Sequence, residues 1–330
     1  MADMVVISVD AMGGDNAPGV VLDGVAQALA ADEALSVVLC GPAEVVEPFA
    51  RSHERCEARA TTEVIDMAEH PANAVRRKKD SSIVVGCRLV KEGAAHGFFS
   101  AGSTGACLAA GTLVIGRIRG VARPALATVL PSPAKPVVMC DVGANSDCKP
   151  EYLVQFANMA TVYAEKVLGV RDPKAALLNI GAEETKGSQF AQEAHRLLAE
   201  CVPNFAGNAE GGDLLAGTYD VIVADGFTGN ACLKSIEGTA KVLFKEIKGV
   251  LYASLATKLA ALAIKGGLSD LKARVSPDTY GGAPLLGVKG ACIVGHGSSN
   301  ATAIKNGVLT SAAVVRADVS GIIEQMVRDD

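Results

Sequence analysis

Six short apolar runs punctuate the chain, each closing on small polar residues and each followed by a segment with helical spacing. In the first, Val5-Val6-Ile7-Ser8-Val9-Asp10 enters Ala11-Met12-Gly13-Gly14 and opens a helix with Pro18 near its first turn. The other five run into Ser100 to Ala106, Asp141 to Asn145, Asn179-Ile180-Gly181, Asp225 to Asn230, and Gly295 to Asn300. Apolar runs of strand length alternating with helical segments predict an α/β fold with a mainly parallel sheet. If the six strands share one direction, their carboxyl ends lie along one edge and all six loops face one cleft, where open α/β folds bind ligands. The plainer alternative also stands: short βα connections and helix caps demand Gly, Ser and Asn in any such protein.

Gly13 and Gly14 permit positive φ and close approach, and the helix that follows begins with unpartnered N–H groups at the positive end of its dipole. Together they make an anion-accepting junction. Farther on, Leu251, Leu255, Leu259 and Leu262 recur at helical spacing, Gly266-Gly267 interrupts, and Leu268 and Leu271 resume. The pattern predicts a helical hairpin around 240–275, its stripe turned to the core, to a second copy in a homodimer, or to a bilayer surface.

The 330 residues are 49% hydrophobic but only 4% aromatic with no Trp, so a large core must rest on Val, Leu, Ile and Ala. No linker or charge block divides the chain, which reads as one α/β unit spanning 1–330. A net charge of −5 argues against nucleic acid as a partner. Nine cysteines with no Cys-x-x-Cys pair suggest reduced thiols packed in a cytoplasmic protein. Neither a secretory leader nor an 18-residue apolar run is expected here. Phosphate-loop, dinucleotide, zinc-protease and nucleophile-elbow motifs are absent as well.

Asp10-Ala11-Met12-Gly13-Gly14-Asp15-Asn16-Ala17-Pro18 closely resembles the signature of the phosphate acyltransferase family, the acyl-carrier-protein:phosphate acyltransferases of bacterial phospholipid synthesis. The likeness continues through Ser100–Ala106, Asp141–Asn145 with Cys148-Lys149-Pro150-Glu151, and Leu178–Gly187. It extends further to Gly207-Asn208-Ala209-Glu210-Gly211, Asp225–Asn230 with Leu233-Lys234, and Tyr280–Gly287. Two positions depart from the pattern: Ser103 stands where the family usually has Asn, and Ala182 where an acidic residue is common.

The resemblance implies a three-layer α/β/α sandwich of the isocitrate and isopropylmalate dehydrogenase type, carrying the hairpin as a protrusion. It implies attack of inorganic phosphate on the thioester of a long-chain acyl carrier protein, giving acyl phosphate and free carrier. Phosphate is itself an anionic nucleophile, so no cofactor, metal or covalent enzyme intermediate is expected. By the same resemblance Lys186 is the cation and Asn230 the amide donor. Asp10, Gly13, Gly14, Asn16, Ser103, Thr104, Gly105, Asn145, Gly229 and His296 are the expected phosphate contacts, although a loop His is also readily satisfied by backbone. Asp10, Asp15, Asp141 and Asp225 at strand ends fit helix capping or loop hydrogen bonding better than a metal site.

The basic run Arg76-Arg77-Lys78-Lys79 is either a solvated face or the surface that steers the acidic carrier. The product logic of an apolar acyl phosphate favours peripheral membrane association through the leucine stripe and hand-over to a membrane glycerol-3-phosphate acyltransferase. Two alternatives stay open: a phosphotransacetylase-like enzyme using acyl-CoA, and a non-catalytic acyl- or anion-binding scaffold.

Overall fold

The computed structural model describes residues 4–132 and 135–329. Its strands are β1 (Val5–Asp10), β2 (Leu35–Gly41), β3 (Cys56–Ala60), β4 (Gly97–Ser100), β5 (Ala125–Leu130) and β6 (Val137–Cys140), followed by β7 (Ala175–Leu178), β8 (Phe205–Ala209), β9 (Val221–Val223), β10 (Ala283–Leu286) and β11 (Ala291–Val294). They form one sheet of 11 strands in the order β3-β2-β1-β4-β11-β10-β5-β6-β9-β7-β8.

Helices α1 (Gly19–Ala31), α2 (Ala43–Arg51), α3 (Pro71–Arg77), α4 (Ser82–Lys91), α5 (Thr104–Ala110), α6 (Pro150–Lys166) and α7 (Gln189–Cys201) alternate with the strands. The chain ends with α8 (Gly226–Leu251), α9 (Leu255–Val275), α10 (Ala301–Arg316) and α11 (Val319–Asp329). Two apolar cores lie on the two faces of the sheet. Val25 of α1, Phe156 of α6, Leu198 of α7, Ile304 of α10 and Ile323 of α11 close one. Val75 of α3, Ile83 and Leu89 of α4, and Cys107 of α5 close the other. Successive β2 residues alternate between the two, Leu39 facing the first and Val38 and Cys40 the second. A strand covered on both faces has no solvent side, which is why these runs are apolar throughout. The expected three-layer, mainly parallel architecture is present.

The expectation of one shared loop edge is corrected. Pairing is parallel from β3 through β11 and again from β6 through β8, but β11–β10, β10–β5 and β5–β6 are antiparallel. Three successive reversals leave the second parallel set running opposite to the first. The loops after β1, β4 and β11 therefore leave one edge of the sheet, and those after β6, β9 and β7 leave the other. Because β5 and β10 meet from distant parts of the chain, no local pattern announces the reversal.

The hairpin exists with different bounds. α8 starts at Gly226 and its 26 residues span about 39 Å. Only its base is held, through Cys232, Leu233 and Ile236 packed against the second core. The turn falls at 252–254, where Ser254 and Thr257 exchange side-chain and backbone hydrogen bonds at 3.0–3.2 Å and cap α9. α9 then runs straight through Gly266-Gly267. The predicted break is overridden, a cost of roughly 1 kcal/mol per glycine that pairing with α8 can offset. Leu251 thus closes α8, while Leu255, Leu259 and Leu262 share one face of α9.

Phe99 of β4 is fully buried, and Gly307 lets α10 settle directly on its ring: a Cβ there would lie 2.1 Å from Phe99 Cε2. Phe99→Ala is expected to cost about 3–5 kcal/mol of unfolding free energy, measured by urea titration.

Candidate functional site

At the first edge, Asp10 ends β1 with its carboxylate out of solvent. Oδ2 accepts the Ser100 hydroxyl at 2.6 Å and Oδ1 accepts the Met12 N–H at 3.0 Å. Burial pushes this carboxyl above its ordinary range, opposed by hydrogen bonds from Ser100, Ser82 and Met12. Ser100 Oγ in turn accepts the Gly102 N–H at 2.9 Å. Gly13 fits between these groups, since a Cβ would sit 2.7 Å from both Asp10 Oδ2 and the Gly102 nitrogen. Gly14 has φ +110°, and the neighbouring Asp15 N–H bonds the Gly297 carbonyl at 2.8 Å, tying the β1 loop to the β11 loop. Loops 10–18, 100–105 and 295–300 thus form one cluster.

Within it Ser103 is buried as the cap of α5, accepting the Ala106 N–H, while Thr104 and Asn16 are exposed. Asn and Ser are both favoured caps, so Ser103 fills this role as an Asn would. Gly105 lies under Pro71 at the start of α3. His296 is exposed, and its Nδ1 accepts the Ser298 N–H at 3.2 Å.

At the opposite edge, Asp141 follows β6 fully buried and receives five donors. Oδ1 accepts the N–H groups of Leu126, Gly143 and Ala144 at 3.0–3.1 Å; Oδ2 accepts Asn145 N–H at 2.7 Å and Asn145 Nδ2 at 2.8 Å. Burial still raises its pKa, with those bonds opposing. Asn145 also donates to Pro124, and its carbonyl accepts the Gly226 N–H at 2.7 Å. Asp225 caps α8 through Thr228 N–H at 2.9 Å and Thr228 Oγ1 at 2.6 Å. Gly229 packs so closely that a Cβ would fall 1.9 Å from the Asp141 carbonyl oxygen. One face of the first α8 turn is thereby fixed inward.

Asn230 is exposed beside Gly143, and its side-chain amide has no hydrogen-bond partner among the described residues. β9 lies between β6 and β7, so the Asn230 and Lys186 loops leave adjacent strands. Lys186 folds its stem over Gly181 and stands 3.9 Å from Glu183 Oε1 in an exposed pair. Such a pair holds the ammonium weakly. The loop beneath is firmly built: Asn179 Nδ2 donates to the Lys186 carbonyl at 3.2 Å and Oδ1 accepts Ile180 N–H at 2.8 Å. Gly187, at φ +88°, leaves room for that amide. Asn208 bonds the Glu183 carbonyl at 2.9 Å and His195 Nδ1 at 2.9 Å.

The structure thus places Lys186 on the loop after β7 and Asn230, Asn145 and Gly229 on the loops after β9 and β6, strands that are neighbours in the sheet, and gathers Asp10, Gly13, Gly14, Asn16, Ser103–Gly105 and His296 in the loop cluster after β1, β4 and β11. Asn179 and Asn208 were missed as positioning residues; both stand in the motifs quoted above, but only the folded loop shows what their amides bind. Of the basic run, Arg76 and Arg77 are exposed at the end of α3. Lys78 is engaged by Glu69 at 2.6 Å and the Val64 carbonyl at 2.7 Å, a correction to its expected freedom. Cys148 Sγ lies 3.5 Å from the Asn145 carbonyl, and burial pushes its pKa up to about 11. Cys40, Cys87, Cys107, Cys140 and Cys292 are buried and raised likewise.

A family model described as "Fatty acid synthesis protein" matches residues 5–321. The chain is 48% identical to the phosphate acyltransferase of Desulfitobacterium hafniense strain Y51, over 99% of this chain and 97% of that one. It is 44% identical to the Bacillus licheniformis phosphate acyltransferase, with 98% of each covered. Among solved structures, a Streptococcus pyogenes phosphotransacetylase superposes with TM-score 0.60 at 16% identity, covering 94% of both chains. A branched-chain phosphotransacylase of Enterococcus faecalis V583 gives 0.59 at 14%, covering 94% of this chain and 99% of that one. These structures share the fold.

The raised Asp10 carboxyl has a definite sign: the native state holds its proton more tightly than the unfolded chain. Its contribution to stability is therefore greatest below the ordinary value of 3.8 and declines as pH rises through the native pKa. Asp10→Asn is expected to flatten that decline, seen as a smaller change in urea-unfolding free energy with pH than in wild type.

Proposed function

The chain belongs to the phosphate acyltransferase family and transfers acyl groups to phosphate, and from that premise we propose that inorganic phosphate attacks the thioester of a long-chain acyl carrier protein directly, at the Lys186–Asn230 edge. One observation carries this assignment. Two side chains suited to an anion and an oxyanion stand on loops from adjacent parallel strands, one ammonium only loosely paired and one amide without a hydrogen-bond partner among the described residues.

In the step, a phosphate oxygen forms a bond to the carbonyl carbon, and the carbonyl pair moves onto oxygen. Collapse expels the carrier thiolate, which takes a proton from solvent; a thiol of pKa about 8.5 leaves readily. Lys186 holds the phosphate as a compact charge that follows the changing anion, and the Asn230 amide donates to the developing oxyanion. Asn145 and Gly229 shape the floor on which both act.

At the first edge, the amides of Gly13 and Gly14, with Asn16, Ser103, Thr104, Gly105 and His296, form a second anion-accepting turn. Asp10 holds that turn, its oxygens already engaged by Ser100 and Met12. Since α3 packs on α5, Arg76 and Arg77 lie beside this turn and steer the acidic carrier. Lys78 takes no part in steering, being held by Glu69.

No helix among the described residues is long and apolar enough to cross a membrane. The α9 face carrying Leu255, Leu259 and Leu262, respectively 82%, 70% and 67% exposed, lies on the bilayer surface in a cytoplasmic, peripherally bound enzyme. Leu251, half-buried at the tip of α8, extends the same contact. Val242 and Leu243 of α8 remain for a second copy in a homodimer, and the product passes to a membrane glycerol-3-phosphate acyltransferase.

Lys186→Ala and Asn230→Ala are each expected to lower phosphate-dependent thiol release from acyl carrier protein by roughly 10² or more with unchanged melting temperature. Near-normal turnover by both removes the assignment, and faster turnover of acyl-CoA would reassign the donor. Leu255→Glu with Leu259→Glu is expected to abolish co-flotation with liposomes of anionic lipid; unchanged flotation takes α9 out of the contact.

A further inference from the structure

Apart from Leu255 near the hairpin tip, the two most exposed large hydrophobic side chains among the described residues are Ile180 at 81% and Phe227 at 71%. Both sit at the second loop edge. Gly226 and Gly229 are buried against Asp141 and Asn145, so the first turn of α8 presents its other side outward. On that side Phe227 and Asn230, three residues apart, are neighbours. Ile180 immediately precedes Gly181, over which the Lys186 stem folds, and its N–H is held by Asn179 Oδ1 at 2.8 Å. The two strands feeding these loops are in parallel register, Leu177 opposite Val223, about 4.8 Å apart. Each polar group assigned to the reaction therefore has an exposed apolar neighbour on its own element.

We propose that Ile180 and Phe227 form the apolar seat for the first methylenes of the acyl chain and so determine the preference for long over short acyl donors. The proposal rests on the Lys186–Asn230 assignment, since the thioester carbonyl must lie at that pair for its chain to run across these side chains. An acyl chain leaving water needs a surface of this kind, and each methylene covered strengthens binding about fourfold. A rigid aromatic ring on a capped helix turn and a branched aliphatic on a stapled loop give that surface a fixed shape.

The test compares butyryl and palmitoyl groups on the same carrier protein, using Ile180→Ser, Phe227→Ser and the conservative Ile180→Leu and Phe227→Leu. Each Ser variant is expected to lose roughly tenfold in kcat/KM for palmitoyl carrier, mainly through KM, and less than about twofold for butyryl carrier. The Leu variants are expected to keep the wild-type ratio. Equal losses for both chain lengths, or no loss for either, overturn the seat. A Ser variant that turns monomeric in sedimentation velocity while wild type is dimeric also overturns it, because a second copy then covers these residues. Lys186→Ala assayed in parallel separates the two levels. Full activity there rejects the catalytic assignment; loss there with an unchanged chain-length ratio in the Ser variants rejects only the seat.

Discussion

The Asp141 carboxylate is the constraint on which the second loop edge depends. A carboxylate buried this deeply is costly unless its lone pairs are filled, and five N–H donors from Leu126, Gly143, Ala144 and Asn145 fill them. Those bonds stop the chain turning any other way after β6. Through Asn145 they also fix α8, because the same residue that donates twice to Asp141 accepts the Gly226 N–H. Gly229 then lies against the Asp141 backbone with no space for a side chain. The direction of α8, the outward face bearing Phe227 and Asn230, and the root of the long hairpin all follow from one filled acceptor.

Reversal at the middle of the sheet gives this edge its independence. Two parallel sets, each with its own loops, are joined through β10 and β5, which pair antiparallel with everything they touch. The first set contains the amide-rich turn pinned by Asp10 and Ser100, and the second contains Lys186 and Asn230. Each set has a buried strand-end aspartate whose burial outweighs the hydrogen bonds around it. The same device, a desolvated carboxylate collecting loop donors, is used twice to hold otherwise irregular chain in one conformation.

Much of this was legible in the sequence because it is local. Strand endings rich in Gly, Ser and Asn marked the loops, and the capping role of Asp225 follows from an acidic residue standing just before a helix. What stayed hidden is nonlocal. Ala125–Leu130 and Ala283–Leu286 read as ordinary apolar strands, and nothing in either says that it runs against its neighbours. Gly266-Gly267 reads as a break, yet packing between α8 and α9 overrides local propensity and Ser254 makes the turn instead. Lys78 reads as one more cation of a basic run until Glu69, nine residues earlier, folds back upon it. Ile180 and Phe227 pass for core residues by composition, and only their exposure distinguishes them.

The cysteines bear on the chemistry in a different way. With the thioester donor proposed above, an ionised sulfur close by would intercept the acyl group by exchange and divert it onto the enzyme itself. Cys148 stands next to the Asn145 floor with its proton held by burial, and the thiols lodged in the two cores are held more firmly still. Desolvation thereby quiets the thiols of the floor and of the two cores, which in the proposed step would otherwise compete with orthophosphate for the carbonyl.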